Sequence, residues 1–393
     1  MSDKVLKMLR GPDRVRKRPA VLFGSDDLEG AKAVVRSLLE IYVMESQQGY
    51  CTELTVTQHG KSLVIQGDDP GLYLGQYNRD DQVWKELFTE MYAGPAYAPS
   101  EDDPLWWKQD THYCLYHDKR DNEYVFYPED VDMLCMYAVQ CVCKYLDVIV
   151  KKDNIKTTLR FCKGYEVAEA IHEPTEEANG TSFRLELDDE IFSETEIPTS
   201  YFLELLERFA FLCPALRCTY SNADGIHESF YYTNGVQEYV AKSAALAPFR
   251  HRGVAKGRDR YNRPEYEAAV EVVLGYAPDA GSLKCYHNFR ELTYGGTHCD
   301  ALKERVCRAF NDCFEDAELT FEELEKHLVI VLSTGCSRCR SSWENGTRLA
   351  IRNRMITDLT QDVAGHELYV YVRQHRALIQ PLVDRLLKEC SEN

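Results

Sequence analysis

The stretch that most narrows the folding options runs from residue 29 to residue 67. Residues 29–48 carry Ala33, Val34, Leu38, Ile41 and Met44 at helical spacing, which predicts an amphipathic helix. Two alternating runs follow at once, "ELTVTQHG" and "KSLVIQG", meeting at His59-Gly60 as a hairpin would. "DDPG" at 68–71 then reads as a turn. The same mixture returns downstream. "PEDVDMLCMYAVQCVCKYLDVIV" predicts a helix from Pro128, with acids in its first turn, ending in a strand. "TSFRLELDDEIF" predicts a strand, and "PTSYFLELLERFAFLCPAL" a helix stopped by Pro214. Strands are expected in "ESFYYT", "AAVEVVLGYA" and "SLKCYHNFRE", then a helix at 298–313 and a buried strand in "HLVIVLSTG". Residues 82–92 and a long stretch from about 348 read as helical, and 94–128, with four prolines, as an irregular excursion. Helices on one side of a mixed sheet, twice over, argue an α+β fold in two domains, 1–216 and 217–393.

At 393 residues the chain is too long for one ordinary core. No apolar run reaches the length of a membrane span, and the basic start has no apolar signal core behind it, so the expected location is cytoplasmic. Fifteen cysteines are scattered through apolar stretches, which predicts free buried thiols rather than a disulfide framework. "CSRC" (Cys336 to Cys339) has no second pair at zinc spacing, so no metal is expected. The net charge of −18 is uneven. Residues 1–216 hold 23 Lys+Arg against 39 Asp+Glu, a balance of −16, while 217–393 hold 23 against 25, a balance of −2. The first part should repel nucleic acid as a whole.

Several stretches, taken in order, resemble a known family. "VRKRPAVLFGS" (15–25) is similar to an Arg-Lys-Arg-Pro-Gly-Met-Tyr-Ile-Gly opening, and "GYCTELTV" (49–56) to a helix end and the strand after it. "GTSFRLELDDEIF" (180–192), "LLERFAFLCPALR" (205–217), "NGVQEYV" (234–240), "AAVEVVLGY" (268–276) and "YGGTHCDAL" (294–302) continue the series. Together they resemble the ATPase and transducer region of the B subunits of bacterial DNA gyrase and topoisomerase IV. The resemblance implies a Bergerat (GHKL) nucleotide-binding-like domain followed by a ribosomal-protein-like α/β transducer. It implies a module without the TOPRIM, DNA-cleaving and tail parts of these enzymes, and with only "MSD" ahead of the "VLK" match where the family has an arm.

The same resemblance implies that ATP chemistry is lost. The family needs a base to activate water and an Asn one turn later to hold Mg²⁺. With no gap between the anchors, those positions fall on Ser37 and Ile41, neither of which suits the role. Sliding the helix by three offers Glu40 as base but puts Met44 at the metal position. The adenine turn, Asp-x-Gly-x-Gly-Ile in the family, reads "GDDPGL": Gly71 and Leu72 fit, the adenine Asp falls on Gly67, and a one-residue shift brings in Asp68. The glycine lid positions hold "EDVDMLC" (129–135), whose acids would repel a triphosphate. Thr181 matches a threonine near the phosphates, and Arg348 stands where a transducer Lys reaches the terminal phosphate. The cofactor expectation is therefore none, with ATP and Mg²⁺ as the alternative.

Two basic clusters remain. "FRHRGVAKGRDRYNR" (249–263) carries Arg250, Arg252, Lys256, Arg258, Arg260 and Arg263, candidates for DNA contact through the transducer or a solvated loop. Residues 337–354 add Arg338, Arg340, Arg348, Arg352 and Arg354. Trp106 and Trp107 suit either a partner surface or a filled nucleotide pocket. The function expected is a pseudo-ATPase that binds a topoisomerase subunit, itself or DNA. The rivals are a divergent but active DNA-dependent ATPase and an acidic decoy that competes with DNA.

Overall fold

The computed structural model describes residues 9–47, 49–72, 74, 83–90, 136–257, 266–314, 317–336, 344 and 349–392. The lid stretch 129–135, Trp106, Trp107, Arg258, Arg260, Arg263, Arg338, Arg340 and Arg348 lie outside the described residues. The chain divides into two units, with the change between Tyr231 and Tyr232.

In the first unit, α1 (Asp13–Arg16) and α2 (Pro19–Phe23) lead into α3 (Leu28–Gln47). The hairpin of β1 (Glu53–His59) and β2 (Ser62–Gly67) follows, turning at Gly60 with φ 59°. Next come α4 (Val83–Thr89), α5 (Met136–Cys141), β3 (Cys143–Lys152), β4 (Ile155–Cys162), β5 (Tyr165–Pro174) and β6 (Gly180–Leu187). Then α6 (Thr199–Leu212) leads to β7 (Arg217–Asn222) and β8 (His227–Phe230). The strands form one sheet in the order β5-β4-β3-β6-β2-β1-β7-β8.

Alternation decides which face is covered. Leu54, Val56, Leu63, Ile65, Phe183 and Leu185 are buried, and their neighbours along each strand are more open. The apolar face of α3 adds Val34, Val35, Leu38, Leu39, Tyr42 and Val43 to the buried set. From Glu40 to Ser46 every residue of α3 is buried, so its last two turns are enclosed on all sides rather than along one stripe.

The expected boundary at 216 shifts. β7 pairs in parallel with β1, from Glu53 beside Arg217 to Gln58 beside Asn222, and β8 extends the sheet. A helix stopped near a proline looks like a domain end, but the open edge of β1 takes up the next strand.

The second unit contains α7 (Val236–Ala241), β9 (Phe249–Gly257), β10 (Tyr266–Tyr276), β11 (Ser282–His287), β12 (Arg290–Glu291), α8 (Thr297–Cys313), α9 (Phe321–Glu325) and β13 (Leu328–Cys336). Its sheet runs β12-β11-β13-β10-β9, with β11 and β13 parallel. β13 is buried along almost its whole length, as a central strand covered on both faces must be. The long terminal helix expected from about 348 is three helices: α10 (Arg354–Val363), α11 (His366–Gln374) and α12 (Arg376–Glu392). Asn353 caps the first by accepting from Ile356 N at 3.2 Å, and Gly365 and His375 mark the breaks. The start of the basic cluster is not a loop. It is β9, paired with β10 along its length.

Candidate functional site

The corner where α3 meets the turn after β2 is where the sequence places the nucleotide chemistry. Ser37 lies on α3, buried, and its hydroxyl donates to Val34 O at 2.7 Å. Ile41, one turn on, is also buried. Glu40 is 2% exposed and lies 3.5 Å from the Arg36 guanidinium, one turn back on the same helix. A carboxylate paired in this way is tied to its own helix. Ser37, Glu40 and Ile41, the candidates of the two registers together with Met44, are thus all buried on α3.

The position that the resemblance gives to the adenine carboxylate is closed to a side chain. Gly67 closes β2, and a Cβ there would lie 2.4 Å from Cδ1 and 2.7 Å from Cε1 of Tyr42. Real side chains do not approach so closely, so any larger residue at 67 must displace the ring. Tyr42 is fully buried, donates its hydroxyl to Thr181 O at 2.9 Å, and packs edge-on to Phe183 at 6.3 Å. The space that an aspartate side chain would need is filled by an aromatic ring from the neighbouring helix.

The two aspartates of the turn part company. Asp68 is exposed and folds back onto the start of β1, accepting from Thr52 N at 2.7 Å and Glu53 N at 2.8 Å. Partial burial pushes its carboxyl up, but the bonds from Thr52 and Glu53 outweigh this and hold it below the usual range. Asp69 turns inward. It accepts from Gly71 N at 3.0 Å, Thr181 N at 3.0 Å and the Thr181 hydroxyl at 2.9 Å. The same hydroxyl accepts from Leu72 N at 2.9 Å, and Lys152 Nζ donates to Gly71 O at 3.2 Å. Burial raises Asp69 to about 6, against the bonds from Thr181 and Gly71 that lower it. Beside it, burial raises Glu45 well above the carboxylate range; the charge of Asp69 adds to the shift and Lys152 opposes it.

Thus Gly67, Asp69, Gly71, Leu72 and Thr181 do gather at one corner, with Ile41 and Ser37 on the helix that lines it. Asp68 is turned away from them. The sequence reading missed Tyr42, Glu45 and Asp69. The available signal was a bulky residue at 42 opposite a glycine at 67, and an acid, Glu45, within an otherwise apolar helical run.

The basic candidates lie in the second unit. Arg250 Nε is 2.7 Å and Arg252 Nε 3.7 Å from Glu271, and Lys256 is 3.3 Å from Glu267. The ladder puts Arg252 directly beside Glu271 and Lys256 beside Glu267. The described cations of β9 thus each have a carboxylate on β10. Arg352 pairs with Glu344, and Arg354 lies 3.5 Å from Asp358.

An eight-stranded mixed sheet with a long buried helix, followed by a five-stranded unit ending in helices, fits the fold that the sequence resemblance implies. The comparisons agree. Residues 232–392 match the family model described as DNA gyrase B. Over 98% of its length the chain is 24% identical to the B subunit of DNA topoisomerase 4 from Enterococcus faecalis, across 407 residues. Over 98% it is 22% identical to the B subunit of DNA gyrase from Thermotoga maritima. It covers 55% and 59% of those two proteins, so it spans a little over half the length of these curated relatives. Among solved structures, it superposes on the 43K ATPase domain of Thermus thermophilus gyrase B with a TM-score of 0.68 and 19% identity, covering 97% of this chain and 95% of that one. The B-subunit of the DNA gyrase from Myxococcus xanthus gives 0.69 and 13%, covering 95% and 99%. The resemblance read from the sequence, and the fold class with it, is borne out.

Proposed function

We propose that this chain is a gyrase-B-like ATPase–transducer module that no longer hydrolyses ATP and acts by binding. The observation that carries the reading is the Tyr42 ring packed against Gly67, in the place of the adenine-binding carboxylate. Ile41 at the metal position and the Ser37 hydroxyl turned onto Val34 O support it. Such a module needs no cofactor. It works in the cytoplasm, on a type II topoisomerase subunit or on a second copy. DNA is the weaker partner, because Arg250, Arg252 and Lys256 all face glutamates. Among the described residues no helix is long and apolar enough to cross a membrane.

The test is turnover and binding of ATP with and without Mg²⁺. Neither is expected, and changing Ser37→Glu with Ile41→Asn should not restore turnover, since Tyr42 still fills the corner. Steady metal-dependent hydrolysis that disappears in Glu40→Gln would overturn the reading. It would establish the second one, a divergent active ATPase. Asp69, held beside Thr181 at the buried corner, is the feature that favours that alternative.

A further inference from the structure

The first sheet ends at β5, and this strand is unlike the others. Eight of its ten positions are exposed, against an alternating pattern in β1, β3 and β6. The large exposed apolar side chains of the described chain are few, and three of them lie here: Tyr165 at 64%, Val167 at 59% and Ile171 at 39%. Glu166 and Glu169 stand between them and Glu173 just beyond, with no Lys or Arg in the strand. Glu173 lies 3.8 Å from Lys156, whereas among the described residues no cation pairs with Glu166 or Glu169. β5 joins the sheet through β4 alone among the described strands, so its far side is a sheet edge. Two register shifts against β4 and the closing Pro174 twist and shorten that edge. Such devices discourage indiscriminate strand pairing. They do not account for three apolar side chains held in water.

We propose that β5 is a docking strand for an extended, basic polypeptide segment of another protein, with cations set against Glu166 and Glu169 and apolar side chains against Tyr165, Val167 and Ile171. Charge selects this occupant. A second copy would bring its own glutamates to the strand, and like charges placed opposite one another are destabilising. Nucleic acid is excluded by the same glutamates and by the −16 balance of residues 1–216. An extended segment fits because an edge strand offers main-chain partners along its length and side-chain contacts at alternate positions. The proposal does not depend on the ATPase reading, since β5 is the far strand of the sheet from the β2–β1 pair.

The experiment uses the whole chain and a short synthetic peptide alternating lysine with valine, with a glutamate-for-lysine peptide as control. Binding is read by fluorescence anisotropy at low and at physiological ionic strength. Protection of the β5 amides is read by hydrogen exchange. The basic peptide should bind, more weakly as salt rises, and protect β5, while the acidic peptide should not bind. Val167→Lys with Ile171→Lys should weaken binding roughly tenfold or more. Glu166→Lys with Glu169→Lys should reverse the preference toward the acidic peptide. All four positions are exposed, so unchanged circular dichroism will show that the variants fold. Equal binding of both peptides, no protection of β5, or binding that survives both double changes would overturn the proposal. So would self-association of the chain that Val167→Lys abolishes, because the occupant would then be a second copy.

Discussion

Two glycine turns invite comparison: Gly67 at the end of β2, and Gly295-Gly296 ahead of α8. Both belong to stretches that resemble family motifs, yet the reasons for the glycine differ. At Gly296 the backbone decides. Its φ is 130°, and a Cβ would lie 2.1 Å from Ile351 O, the residue with which it makes an isolated parallel bridge. Gly295, at φ 61°, donates to Leu292 O and accepts from Ile351 N. At Gly67 no unusual φ is involved, and what excludes a side chain is Tyr42. A glycine in a motif can therefore mean that the fold still needs it, or that a neighbour has grown into the space a functional residue would use. The match of 232–392 to the DNA gyrase B family model includes the first kind.

The comparison can be broken at five residues. Gly296→Val should have the largest effect, roughly 4 kcal/mol or more, because both the strained φ and the Ile351 carbonyl oppose it. Chemical denaturation followed by the loss of second-unit structure will measure it. Tyr42→Ala comes next, at about 3–5 kcal/mol for the lost ring and its hydrogen bond to Thr181 O. Its sharper use is with Gly67→Asp, which alone should cost about 3 kcal/mol by overpacking. The double variant should be less destabilised than the sum of the two single changes. Simple additivity in a double-mutant cycle would mean that Tyr42 does not hold the place of a carboxylate.

Asp69→Asn should cost about 1–3 kcal/mol, since an amide cannot accept all three bonds from Gly71 and Thr181. Glu45→Gln is the smallest, and its sign is opposite. The carboxyl of Glu45 is raised in the folded protein, so above its ordinary value of 4.5 the unfolded chain releases a proton that the folded chain keeps. Stability is thus fully present below that pH and declines as pH rises toward the folded value. Glutamine removes the decline and should stabilise the chain at neutral pH by on the order of 1 kcal/mol, with little gain below pH 4.5. Asp69, raised from 3.8 to about 6, adds a decline between those values that both chains share. Thermal melts of the pair across this range will separate the two carboxyls.

Much of the fold was legible because it is written locally. The α3 stripe, the β1–β2 hairpin and the apolar run of β13 each carry their own period. The β4 and β5 strands were passed over although their turns were marked. Asp153-Asn154 and Lys163-Gly164 both take positive φ at two successive residues, and Asn and Gly are the usual markers of such hairpins. β9 was read as a charge cluster because its alternation is carried by Arg250, Arg252 and Lys256, whose partners Glu271 and Glu267 lie on a strand that begins after an intervening stretch. The site was least legible. Tyr42 and Gly67 are remote in sequence, and which of Asp68 and Asp69 turns inward depends on hydrogen bonds to Thr52 and to Thr181. No periodicity encodes such contacts.

The parallel pairing of β1 with β7 also has a consequence in time. The hydroxyls of Thr57 and Ser221 meet across it, 164 positions apart. During synthesis, α3 and the β1–β2 hairpin leave the ribosome long before β7 exists. For that interval the outer edge of β1 has no partner strand, and non-local closure of this kind is slow. The nascent chain must therefore keep a bare strand edge from meeting its neighbours on the same polysome, where such edges aggregate. A piece cut at residue 216 would never leave that state, whereas one cut after Tyr231 would complete its sheet and outlive the ribosome.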